Sequence, residues 1–229
     1  MAIQLQQTTE GNSGSVYVSS QATTPFGSNT TTGNALIAFI NRSVSSGLTV
    51  SSVSDTTNSF SHWFTVNNGS ITNLEVWYAA NITGLTTPTV TAYFGGGGGT
   101  THAIVYAREY SGLATSSITD VYTSANGNST TGVSSGASAS TNNPNELVVG
   151  ILCDDNGINH ETSSAGSGYG HYVETAPNTA LYLALEDKVV SSTGTQTATF
   201  GTITSPSSWV CAVATFQAPV SLPIGGYPK

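Results

Sequence analysis

Several side-chain groups in this chain could carry chemistry. The densest is Asp154-Asp155-Asn156, followed closely by Asn159, His160 and Glu161. Carboxylate and amide oxygens at this density suit Ca²⁺, which takes about six to eight oxygen ligands. Asp154, Asp155, Asn156 and Glu161 are therefore the candidate calcium ligands. The spacing is not that of an EF-hand, and a solvated acidic turn after a strand ending at Cys153 would look the same. The histidines His62, His102, His160 and His171 include no pair at zinc-ligand spacing.

A second chemistry is glycan recognition, which uses aromatic faces beside amide and carboxylate hydrogen bonds. Tyr169, His171, Tyr172 and Trp63 are the candidates. Tyr169 stands in Gly166-Ser167-Gly168-Tyr169-Gly170, and an aromatic on a Gly-flanked loop is well placed for contact. A third is glycoside hydrolysis, which needs two carboxylates facing one cleft. Glu75, Glu109, Glu186 and Asp187 lie in or near strand-like runs. No Gly-x-Ser-x-Gly elbow precedes a helix, and the run Gly95 to Gly99 lacks the Lys-Ser/Thr of a phosphate loop. The expectation is a protein without catalytic machinery.

The elements that must position these residues read as strands. Turn clusters interrupt the chain at the short spacing of a sandwich or barrel. Between them lie β-rich runs such as 15–19, 36–41, 62–66, 74–79, 89–94 and 103–110. The same order of runs then returns. Gly33-Asn34-Ala35-Leu36-Ile37 is echoed by Pro144-Asn145-Glu146-Leu147-Val148. His62-Trp63 is echoed by His171-Tyr172, and Tyr110 by Phe216. The offset shrinks steadily along the chain, as it does when only loops change length. The expectation is an all-β, jelly-roll-like antiparallel β-sandwich with internal duplication. One domain would span 1–218, with repeats of about 3–115 and 116–218. The short link from Tyr110 to Val121 favours one domain over two. Residues 219–229, with Pro219, Pro223 and Tyr227, read as a Pro/Gly-rich tail, either loose or docked on a neighbouring subunit.

Composition sets the environment. Only 7% of the 229 residues are charged, against roughly 25% in an ordinary soluble domain. The apolar residues sit in regular blocks, which argues against disorder. Four basic residues and a net charge of −8 cannot neutralise phosphates, so nucleic acid and anionic membrane surfaces are excluded as partners. No apolar run approaches the about 20 residues of a membrane span, and the N-terminus does not read as a signal peptide. Cys153 and Cys211 both lie in apolar runs, where a disulfide and two buried thiols are equally compatible with the sequence.

Further segments carry a resemblance. Gly33-Asn34-Ala35-Leu36, Val53-Ser54-Asp55-Thr56, Trp77-Tyr78-Ala79-Ala80, Arg108-Glu109-Tyr110-Ser111-Gly112 and the closing Ser208-Trp209 to Phe216-Gln217-Ala218 are the matching residues. In this order they resemble a β-sandwich module of bacterial extracellular and phage structural proteins. Such modules are similar to jelly-roll lectins and carbohydrate-binding modules of the concanavalin A-like kind. The resemblance spans residues 3–218 and implies the fold; it carries no ligand residue across. The function expected is a non-catalytic structural or display protein, as a virion head-decoration or tail-associated subunit or a surface-layer subunit. It would sit on a virion, cell surface or outside the cell, pair with other subunits as a homo-oligomer, and aid attachment to surface glycans. The alternative is a stand-alone carbohydrate-binding module, and a lesser one a polysaccharide-degrading enzyme. No cofactor is expected beyond the candidate Ca²⁺.

Overall fold

A computed structural model describes residues 2–43, 47–69, 72–96, 100–128, 132–155, 164–175, 181–201 and 208–220. The described residues contain thirteen strands and no helix. The first half supplies β1 (Gln4–Asn12), β2 (Ser20–Ala22), β3 (Ala35–Ser43), β4 (Thr49–Ser54), β5 (Ser61–Asn67), β6 (Thr72–Ala79), β7 (Thr91–Gly95) and β8 (Ala103–Ser111). The second supplies β9 (Thr119–Gly127), β10 (Glu146–Asp154), β11 (Gly170–Glu174), β12 (Tyr182–Val190) and β13 (Trp209–Gln217). The expected all-β antiparallel sandwich is the observed architecture. The glutamine-rich β1, the short β2, the serine-rich β4 and β9 lie outside the runs expected from sequence. Few of their residues are large and apolar, so the alternation is faint. Residues 15–19 hold a turn and one bridge at Val18 rather than a strand.

Each large sheet draws its five strands from one half. Their orders are β1-β8-β3-β6-β5 and β11-β12-β10-β13-β9, with every pair antiparallel. The two sheets pack face to face through Ile37, Phe39, Leu74, Val76 and Ile104 on one side and Val149, Ile151, Leu183, Leu185 and Ala212 on the other. Successive strand residues point to opposite faces, so both outer faces also need cover. Leu36, Ala38 and Ile40 pack under the small sheet β2-β7-β4, against Val50, Val53 and Ala92. Val148, Leu152 and Val213 pack under Val133, Ala198 and Phe200. There the segments 133–141 and 194–200 run side by side, through bonds such as Ser135 N to Ala198 O at 3.0 Å. The result is four layers. The unbroken apolar runs of β3 and β10 follow from it, because these central strands are buried on both faces.

Two features lock the halves together. The connection after β8 buries Leu113 and Ile118 in the shared core, and Ala114 N donates to Gln217 O at 2.9 Å. Asn41, fully buried, donates from Nδ2 to Tyr182 O at 2.7 Å and to Asp154 O at 3.2 Å, and accepts from Thr72 Oγ1 at 2.6 Å. Gly11 is required by close approach: a Cβ there would meet Ala22 O at 1.8 Å.

Candidate ligand-binding cleft

The sequence-level site residues disperse in the fold. Tyr169 is half-buried, not presented on an open loop. Its hydroxyl donates to Thr197 O at 2.9 Å, and Lys188 Nζ lies 4.3 Å above its ring. Tyr172 packs on the outer face of the second sheet and donates its hydroxyl to Glu174 at 2.7 Å. Trp63 packs between the sheets, edge-on to Phe216 at 4.9 Å. Although Trp63 and Tyr172 are aligned in sequence, they lie on opposite faces of their sheets. Bulges in the β5–β6 and β11–β12 pairings change which face a given position serves. His171 alone of the four lines a cleft between the two halves.

Of the calcium candidates, Asp154 is fully buried at the end of β10, and Asp155 accepts from Ser208 N at 2.8 Å. Asn156 and Glu161 lie outside the described residues. Among the described residues no three His, Cys, Asp or Glu side chains converge as a metal set. Pro219 is exposed at the base of the sandwich, whereas Pro223 and Tyr227 lie outside the described residues.

The four carboxylates weighed for hydrolysis do not share a cleft. Glu75 faces β4 of the small sheet, Glu109 faces the 28–34 loop, Glu186 faces the outer segments of the second half, and Asp187 points between the sheets. Glu75 binds Arg42 Nε at 3.1 Å, both side chains being buried. Glu109 accepts from Asn34 Nδ2 at 2.6 Å, Thr31 N at 2.8 Å and Gln7 Nε2 at 2.6 Å. It fixes the 28–34 loop, a structural task. Glu186 accepts from Gly166 N at 2.5 Å, and burial pushes its carboxyl up to about 7. Burial pushes Glu146 likewise to about 7.

Asp187 organises the cleft. Its Oδ2 accepts from Arg108 Nη1 at 2.8 Å and from the Tyr110 hydroxyl at 2.7 Å, and its Oδ1 lies 2.7 Å from His171 Nδ1. Arg108 is fully buried and also donates to Tyr110 at 3.2 Å and to the His171 carbonyl at 2.7 Å. Burial pushes the Tyr110 hydroxyl well above its ordinary value, so it stays protonated as a donor. His171 itself has φ of 44°, a left-handed conformation uncommon for a residue with a Cβ. Such geometry persists where the surroundings over-determine it, and here its carbonyl and ring are both held. The imidazole remains 61% exposed while Asp187 below it is 4% exposed.

Beside the imidazole opens a cleft of about 420 Å³ lined by Gln4, Leu5, Gln6, His171, Asp187 and Val189 among others. It lies where the β1 edge of one sheet passes the β11–β12 edge of the other. Farther along the same seam, Glu10, Tyr106, Val173 and Glu174 line a second cleft of about 440 Å³. The arrangement offers an oriented imidazole, two side-chain amides and apolar Leu5 and Val189, with the Arg108 and Asp187 charges cancelling beneath. It places hydrogen-bonding groups beside an apolar surface with no net charge beneath. Gln4, Gln6 and Val189 escaped the sequence reading because amides and a lone valine are common everywhere in this chain. Their signal is their shared seam, which exists only in the fold.

No family model, curated protein or solved structure matches this chain.

Proposed function

We propose that this chain is a non-catalytic attachment and display protein of an exposed assembly, a virion or a surface layer, and that it binds surface glycans in the cleft beside His171. The observation that carries the reading is the imidazole itself. It is open to solvent, yet fixed at 2.7 Å on a carboxylate that Arg108 and Tyr110 hold buried. Orienting a single side chain this tightly at a cleft mouth is what recognition requires. The low charge of the chain fits a neutral saccharide and an environment where ionic contacts matter little.

We read the two halves as copies of one ancestral jelly roll. In chain order both large sheets run first, fifth, second, fourth, third, which supports the duplication. The alternation of the first half between β1-β8-β3-β6 and β2-β7-β4 supports the jelly roll.

The test is a glycan array probed with the intact protein, His171→Ala and Gln4→Ala/Gln6→Ala. Binding to a saccharide that falls at least about tenfold in both variants supports the reading. Absence of binding on a broad array, or binding unchanged in both variants, rejects it. A second reading, cleavage of a polysaccharide, draws on Glu10 and Glu174 lining one cleft. Release of reducing ends that stops in Glu174→Gln would favour it.

A further inference from the structure

The two long sides of the sandwich are finished differently. On the β1/β11 side the edges are guarded. Thr24 N donates to Glu10 O at 2.7 Å and Ser28 N to Gln7 Oε1 at 3.1 Å, which lays the 24–28 segment along β1. β11 is only five residues long, and its pairing with β12 is bulged.

On the opposite side, β9 is a nine-residue edge strand that pairs, among the described residues, with β13 alone. It is tied down at its ends. Asp120 accepts from the backbone and side chain of Asn142, and Asn68 Nδ2 donates to Gly127 O at 3.3 Å. Between these ties, Tyr122 to Gly127 pairs in regular register with β13, and no further strand pairs with it among the described residues. Natural edges are usually blunted by lysine, proline, an inward charge or a bulge. The run Tyr122-Thr123-Ser124-Ala125-Asn126 contains none of these residues, and the bulge of this pairing falls before it. Tyr122 is 45% exposed and stacks on Phe64 with centroids 4.1 Å apart and planes 5° apart. Trp63 lies edge-on to the same ring at 5.8 Å. An unblunted edge and an aromatic wall thus share one side.

We propose that this edge is a homotypic interface, at which β9 of two copies pairs antiparallel about a twofold axis near Ser124. The pairing would join the second sheets of both copies into one continuous sheet and cover Tyr122. Charge points to a second copy as the occupant. The chain carries a net charge of −8, so two copies repel over most of their surfaces. The stretch from Val121 to Asn126 is uncharged, so two such chains can approach here without bringing like charges together, and a basic or acidic partner finds nothing to pair with. Antiparallel pairing of a strand with itself is isologous and closes after two subunits. The inference does not depend on the glycan cleft.

The experiment is light scattering on the full chain with Tyr122→Lys and Ser124→Cys. The native protein is expected at twice the 23.4 kDa chain mass. Tyr122→Lys should weaken the dimer at least about tenfold by placing like charges at the edge, with the far-ultraviolet circular dichroism unchanged. Ser124→Cys should give a disulfide-linked dimer on mild oxidation, whereas Val173→Cys on the guarded side should not. A monomer at all concentrations overturns the proposal. So does a dimer that is indifferent to Tyr122→Lys and is not cross-linked by Ser124→Cys.

Discussion

Arg108 and Asp187 belong to different sheets and different halves of the chain, yet their side chains meet at 2.8 Å with exposures of 0% and 4%. Such a pair is costly to bury and costlier to break. Removing one partner leaves an uncompensated charge in the interior, typically about 3–5 kcal/mol. Asp187→Ala is therefore expected to destabilise the fold by about that amount in urea denaturation. Arg108→Leu/Asp187→Leu should recover much of the loss, because a well-packed apolar pair is often as stable as the ion pair it replaces. Equal loss in the single and double variants would mean that the pair acts through packing alone. If the proposed glycan site is right, the double variant should still not bind glycan, since His171 loses both the carboxylate under its ring and the guanidinium on its carbonyl.

Glu186 makes stability depend on pH in an unusual direction. Burial raises its carboxyl from an ordinary 4.5 to about 7 in the folded chain. Between those values the folded state holds more protons than the unfolded state, so this group's contribution is complete below about 4.5 and is lost as pH rises through about 7. The difference in unfolding free energy between the native protein and Glu186→Gln should therefore shift against the native protein, by on the order of 2 kcal/mol, from pH 4.5 to pH 8. A flat difference curve by thermal melts across that range would show that the carboxyl titrates normally. Glu146, raised to about 7 by burial, should add to the same trend.

Cys153 and Cys211 lie on neighbouring strands one register step apart, opposite Val210 and Leu152 respectively. They nevertheless cannot bond in this fold. Cys153 points into the core between the large sheets and Cys211 into the outer core of the second half. Both are fully buried, and burial pushes both thiols up. Neither should react with a thiol reagent in the native state, both should react after denaturation, and a reductant should leave the melting temperature unchanged. Fast labelling of the folded protein would sink this assignment.

Much of the fold was legible because strand periodicity is local. The runs at 36–41, 62–66, 74–79 and 103–110 became β3, β5, β6 and β8, and Leu147 to Cys153 became most of β10. The site was not legible in the same way. Tyr169 reads as a loop aromatic because glycines flank it, but the Thr197 carbonyl and Lys188 close over it from elsewhere in the half. His171 was singled out for its aromatic neighbours, whereas what distinguishes it is a carboxylate on the next strand and an arginine from the other half.

The sequence by itself determined an all-β chain, several of its strands and its sparse charge. These follow from alternation, turn chemistry and composition, each of which acts within a few residues. Only the tertiary structure decided that the sheets stack in four layers, that Cys153 and Cys211 face apart, and that Arg108, Tyr110, His171 and Asp187 share one buried network. Those outcomes depend on which faces pack and where a bulge shifts the register. No local rule relates residues on different sheets; close packing of the whole chain does.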